Sequence, residues 1–168
     1  MSAKPTFYIF AGLPGTGKTT LARELAKHYE AVYLRLDTIE HELRDLSDVR
    51  GEGHFISYGV ASDNLRLGSD VIFDSCNTIQ ETRDQLEATA EKAHARYVNI
   101  EVLCSDTGEH RARIVERNAN IVGRRLPTWE EVQERHYEPW VKERVVIDTA
   151  NKSVMDCVSE LLSQVGSS

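Results

Sequence analysis

Short runs of apolar and β-branched residues alternate along this chain with longer stretches of helical period. The runs fall at residues 6–11, 32–36, 71–73, 97–104 and 145–147. Parallel strands covered by helices on both faces read as continuous apolar runs of this kind. Five such runs with helices between them predict an α/β protein, a three-layer α/β/α sandwich around one parallel sheet.

The helical stretches carry start signals. Thr78 with Glu81 and Thr128 with Glu131 have capping-box spacing, in which a hydroxyl and a carboxylate three residues apart satisfy orphan N–H groups. Ser153 with Asp156 is a looser version. Beyond it Val154, Cys157, Val158, Leu161, Leu162 and Val165 recur at helical spacing, which predicts that one face of the last helix lies on the core. Leu21, Ala22, Leu25 and Ala26 do the same for the first helix. A helix from about His54 is expected to end at Gly68, and for Asp37, at the end of the second strand, capping a helix over residues 38–46 is the alternative to a role in chemistry. Trp129, Val132, His136 and Trp140 form a row read as packing.

Composition narrows the class. The 168 residues suit one domain, residues 1–168, and 40% apolar with 28% charged is globular. Twenty Lys and Arg against 27 Asp and Glu leave a net charge of −7, which disfavours nucleic acid or an acidic membrane as a general partner. No apolar run reaches a membrane span. Cys76, Cys104 and Cys157 are isolated and odd in number, so they read as buried free thiols of a cytoplasmic protein rather than as disulfides or a zinc site.

The strongest motif is Gly12-Leu13-Pro14-Gly15-Thr16-Gly17-Lys18-Thr19-Thr20, which fits G-x-x-x-x-G-K-[ST] between an apolar strand and an amphipathic helix. Glycines let successive amides point inward around a phosphate, and the helix start adds its positive dipole end. Lys18 supplies a point charge for the β- and γ-phosphates, the Thr19 hydroxyl a hard oxygen for Mg²⁺, and Thr20 reaches the α-phosphate. This chemistry predicts a nucleoside triphosphate, ATP, with Mg²⁺ as cofactor.

Acids at strand ends extend the site. In parallel sheets the carboxyl ends of the strands face the ligand crevice, which aims Asp37 at the phosphate loop as a general base or holder of metal waters. Asp74, after Val71-Ile72-Phe73, has the pattern of an acid steadying the Mg²⁺ shell, and a hydrogen bond to a neighbouring turn is its equal alternative. Which of the two is the base stays open at this level. Of the arginines at 111, 113, 117, 124, 125, 135 and 144, most alternate with Glu and read as a solvated helix face. Residues 118–128 differ, holding Arg124 and Arg125 beside Gly123 with no carboxylate. Such a segment suits a lid that closes over phosphates.

Together GLPGTGKTT, the Asp after the second run, VIFDSCNT, ERNANIVGRRLPTW and RVVIDTANKS resemble the small P-loop kinases. That group contains shikimate and gluconate kinases, chloramphenicol phosphotransferase, zeta toxins and polynucleotide kinase, and the likeness is greatest to an AAA-type predicted-kinase branch. The resemblance implies strand order 2-3-1-4-5, an Arg-bearing lid and an acceptor site near Asp37. It implies Asp37 as base, Arg117 stacked on adenine, Arg124 or Arg125 on phosphates, and the turn at residues 149–152 edging the adenine pocket. Asn77 and Arg83 would face the acceptor, whose pocket would be built from residues 54–67 and neighbouring loops. Polynucleotide kinases carry Asp-x-x-Arg at this point, whereas Thr38, Ile39 and Glu40 follow Asp37 here, with Arg44 one turn on. The expected activity is transfer of the γ-phosphoryl of ATP to a hydroxyl of a small molecule. A polynucleotide 5′-hydroxyl kinase and an ATP-hydrolysing switch or binding module are the alternatives.

Overall fold

The computed structural model describes residues 4–46, 51–121 and 125–166. Five strands form one parallel sheet: β1 (Thr6–Ala11), β2 (Val32–Arg35), β3 (Val71–Asp74), β4 (Arg96–Leu103) and β5 (Val145–Asp148). Their order is β2-β3-β1-β4-β5, with Phe10 of β1 level with Asp74 of β3 and Ile100 of β4. Helices α1 (Lys18–Tyr29), α2 (Leu36–Leu46), α3 (Glu52–Arg66), α4 (Gln80–Lys92), α5 (Thr107–Asn120), α6 (Trp129–Glu134) and α7 (Val154–Val165) complete the described elements.

Successive side chains of a strand point to opposite faces, and β1 uses both. Tyr8 and Phe10 join Leu21, Leu25, Ile72, Val102 and Leu161 under α1 and α7. Phe7 and Ile9 join Ala61, Leu65, Phe73 and Leu86 under α3 and α4. The central strand is therefore buried throughout, whereas edge strand β2 is only half-buried. Two apolar layers, one on each face, make the expected three-layer sandwich.

Four local expectations change. Strand β2 stops at Arg35, and Asp37 is the second residue of α2 rather than its cap. The Thr78–Glu81 box does not form: α4 starts one residue later, with Ile79 as N-cap. Thr78 is engaged elsewhere, because its carbonyl accepts the Glu138 N–H at 2.8 Å, while the Glu138 carboxylate accepts the Gln80 N–H at 2.6 Å. A tertiary partner has replaced the local cap. The boxes at Thr128 and Ser153 form as expected. His136 is no core residue; α6 ends at Glu134, and the His136 side chain is 76% exposed. Of the cysteines only Cys157 is buried, and Cys76 and Cys104 are half-buried, though all three are free.

Arg83 holds the segment that follows α6. It is fully buried and donates to the carbonyls of Asn77, Thr78, Glu138 and Pro139. Its guanidinium also lies 4.0 Å from the Trp140 ring centroid and 5.2 Å from that of Tyr137. Burial pulls its pKa below the ordinary guanidinium value, with Tyr137, Glu101 and Glu138 opposing that shift. The fork thus staples residues 137–140 to the start of α4. Arg83→Met should leave four carbonyls without this donor and lower stability by roughly 3 kcal/mol or more, read as an earlier denaturant midpoint with the same slope.

Candidate active site

The chain leaves β1 at Ala11 and turns through residues 12–17 into α1. Gly12 sits at φ +144°, where a Cβ would lie 2.4 Å from the Val102 carbonyl oxygen. Only glycine lets the backbone pass β4 this closely. At Gly15, φ +81°, a Cβ would meet Ile114 Cδ1 at 2.6 Å.

The carbonyls of this turn are held from the protein side. Leu13 O accepts the Thr16 hydroxyl at 3.0 Å, and Pro14 O meets His110 Nε2 at 2.7 Å. A carbonyl only accepts, so that nitrogen carries the proton. Thr16 O accepts the Thr149 hydroxyl at 2.7 Å, and Gly17 O accepts the Leu21 N–H at 3.1 Å. Arg113 braces the same point, donating to Thr149 Oγ1 at 2.8 Å and Thr149 O at 3.1 Å while paired with Glu109. With these acceptors satisfied and the Thr16 N–H turned to Leu13 O at 3.4 Å, the N–H groups at the start of α1 are left to the other side.

Helix α1 opens with Gly17 at its N-cap, no side-chain cap and no acid in its first turn. The first N–H groups of a helix have no intrahelical acceptor, so this end keeps both its donors and its positive dipole unneutralised. Lys18 lies beside it, 8% exposed. Among the described residues no carboxylate pairs with its ammonium. Burying a charge without a counter-ion is costly, and an anion seated here would offset that cost.

These groups form the wall of a cleft of about 1310 Å³ at the carboxyl ends of the strands. Pro14, Gly15, Gly17, Lys18, Thr19 and Thr20 line it, as do Asp37, Arg117, Arg125, Thr149 and Lys152. Gly12, Leu13 and Thr16 lie behind that wall, with Leu13 packed against Ile114, Trp129 and Val132. Asp37 is exposed and stands 3.6 Å from Arg35. Asp74 does not line the cleft: its carboxylate is buried, accepts the Tyr33 hydroxyl at 2.6 Å and lies 3.9 Å from Arg35 Nε. Burial and that carboxylate push the Tyr33 phenol above its ordinary pKa, which keeps it a donor.

Several site expectations move. Arg124, with Gly123, lies outside the described residues. Arg125 has a carboxylate after all, pairing with Glu131 of the α6 capping box. Asn77 and Arg83 do not line the cleft, because the staple on residues 137–140 uses them. No residue of α3 lines it either; α2 contributes Glu40, His41 and Arg44, and His54 turns to Glu40 at 3.6 Å. Arg113 belongs to the loop bracing rather than to a solvated face.

Sequence reasoning also passed over His110, Arg23 and Arg35. For His110 a signal exists: with Arg113, Ile114 and Arg117 it forms an i, i+3, i+4, i+7 stripe, the spacing of a covered helix face. For Arg35 it is a charge interrupting the apolar run Val32-Tyr33-Leu34-Arg35-Leu36 at the ligand end of a strand. Around the whole cleft stand nine Lys and Arg against three Asp and Glu, opposite in sign to the net charge of the chain.

A family model described as AAA domain matches residues 8–139. The chain belongs to this family. Solved structures agree on its P-loop kinase-like fold. Gluconokinase from Sinorhizobium meliloti 1021 is 15% identical at TM-score 0.69, over 98% of this chain and 93% of that one. The APS kinase CysC of Mycobacterium tuberculosis, in complex with AMPPNP and APS, is 15% identical at TM-score 0.74, over 97% and 98%. Kti12 of Chaetomium thermophilum, in complex with ADP-AlF3, is 22% identical at TM-score 0.70, over 96% and 97%. No curated protein matches the chain. Within the described residues of this AAA-family domain no helix is long and apolar enough to cross a membrane.

Gly12 tests the loop geometry without reference to any ligand. Gly12→Ala should cost about 2 kcal/mol or more, through strain at positive φ and overlap with a backbone carbonyl. A fall in melting temperature measures it, and an unchanged value would mean that the loop does not pass β4 so closely.

Proposed function

We propose that the protein is an ATP- and Mg²⁺-dependent kinase that moves the γ-phosphoryl group to a hydroxyl of a small-molecule acceptor. The observation that carries this reading is the Lys18 side chain, 8% exposed and without a carboxylate partner among the described residues, beside the uncapped start of α1. A triphosphate tail supplies the missing negative charge and the missing acceptors together.

The residues present fit a metal bound with its nucleotide. Thr19 brings a half-buried hydroxyl to the cleft wall, and no three His, Cys, Asp or Glu side chains converge among the described residues. Such a site suits Mg²⁺, which keeps several waters and takes phosphate oxygens rather than a protein cage. Bound there, it would neutralise charge on the phosphates. Asp74 would act on that shell only at one remove, through Tyr33 and Arg35.

In this reading Asp37 takes the acceptor's proton, since it is exposed in the cleft wall whereas Asp74 is buried behind Tyr33. Arg117 and the turn carrying Thr149 and Lys152 flank the adenine. Residues 118–128 form the lid of a single domain; its far end is tied where Asn118 Nδ2 donates to Pro127 O at 2.9 Å. Arg125 would exchange its Glu131 contact for phosphate as the lid closes, and Arg124 is the other candidate for that role. Free cysteines and an ATP requirement suit a cytoplasmic setting.

The cation-rich cleft favours one further reading, a polynucleotide 5′-hydroxyl kinase, which the overall charge of −7 opposes. Label transfer from ATP to an oligonucleotide separates the two.

Lys18→Ala should weaken ATP-analogue binding about a hundredfold by calorimetry, the range for losing a main electrostatic contact to phosphate. Asp37→Asn should leave that affinity within a few-fold and lower turnover about a hundredfold, followed as ADP release with a metabolite library. Normal turnover in Asp37→Asn removes it from the base role. Phosphate released only to water, whatever acceptor is offered, replaces the kinase with an ATP-hydrolysing switch.

A further inference from the structure

Besides Lys18 in the phosphate loop and Arg44 of α2, the cations of the cleft fall into two groups on either side of that loop. Arg113, Arg117, Arg125 and Lys152 come from elements on the β4–β5 side, next to the turn that carries Thr149. Arg23, Arg35 and Arg135 gather on the other side, around the ends of β2 and β3. Arg23 of α1 lies over the Tyr33 ring at 6.0 Å, and the Tyr33 hydroxyl meets Asp74. Arg35 reaches both Asp74 and Asp37, at 3.9 and 3.6 Å, too far for a hydrogen bond to either, and its buried Nε has no acceptor. Arg135 ends on the Cys76 sulfur at 3.3 Å, two residues beyond Asp74. Among the described residues no carboxylate pairs with Arg23 or Arg135.

All three guanidiniums line the cleft that Asp37 also lines, on the β2–β3 side of the phosphate loop, and the kinase reading assigns none of them to the nucleotide. A neutral acceptor would desolvate these groups without replacing their water, whereas an anion would satisfy them with charge-assisted bonds. We propose that the acceptor carries, besides its hydroxyl, a small anionic group, carboxylate or phosphate monoester, that docks on Arg23, Arg35 and Arg135. This rests on the kinase reading and names the substrate class of that same site. Discrimination would be strong, since a site built for a charged partner rejects the analogue that lacks it.

The test fills the phosphate loop first. Protein saturated with Mg·AMPPNP is titrated with inorganic phosphate, and separately with acetate, at constant ionic strength, by calorimetry. One of the two should bind, and which one tells phosphate monoester from carboxylate. Arg23→Gln and Arg135→Gln should each raise the half-saturating concentration about tenfold and leave the AMPPNP affinity unchanged. Arg35→Gln should do the same, and because it borders a buried carboxylate its thermal stability is recorded alongside. Absence of any anion response in protein that binds AMPPNP overturns this proposal alone, as does a response unaltered in all three variants. Failure of AMPPNP itself to bind overturns the kinase reading and this proposal with it. In the metabolite screen, a neutral polyol phosphorylated as efficiently as any hydroxylated anion also overturns it.

Discussion

Everything at the site follows from where the carbonyls of Leu13, Pro14, Thr16 and Gly17 find their partners. A tight turn after a buried strand must satisfy its polar backbone groups somewhere, and here His110, Thr149 and the turn's own Thr16 take the acceptors. The α1 amides then have only the cleft to face. Because Arg113 of α5, steadied by Glu109 one turn away, bonds Thr149 directly, the loop is held by the turn after β5 and by α5 as well as by its own strand. Preorganisation of this kind is the physical meaning of a phosphate nest: the donors are aimed before any ligand arrives.

The same logic of outward ties governs the second half of the cleft. Asp74 sits at the end of a fully buried strand, level with Phe10, and is held by Tyr33 from the neighbouring edge strand. That contact fixes the Tyr33 ring beneath Arg23 and brings Arg35 between two carboxylates. A chain with excess negative charge thereby presents a cationic hollow. The acids are spread over the helices' outer faces, and the arginines converge where the strands end. Net charge, a sum over the surface, was a poor guide to the local field.

Away from the cleft, Arg83 shows how a buried charge organises loops. Four carbonyls converge on one guanidinium between two aromatic rings, so residues 137–140, which form neither helix nor strand, are held as firmly as an element. Two local expectations do not form in this same region, the capping box at Thr78 and the continuation of α6 through His136.

What the sequence by itself determined was the part written in short-range pattern. Apolar runs marked all five strands within a residue or two, since strands covered on both faces are mostly apolar, although β4 also buries Asn99 and Glu101. The spacing of Gly12, Gly15, Gly17 and Lys18 marked the loop, because its chemistry lies within eight consecutive residues. Caps at Thr128 and Ser153 were legible for the same reason. The tertiary structure alone decided which arginines serve the cleft. Arg113 and Arg83 look alike along the chain, each on a helix among acids, yet one braces the loop and the other staples a loop in the interior, while Arg125, from a stretch without carboxylates, pairs with Glu131. Long side chains take their roles from partners tens of residues away, and no local spacing encodes those partners. Position within the sheet order made the difference, by setting which strand ends, and so which cations, meet across one cleft.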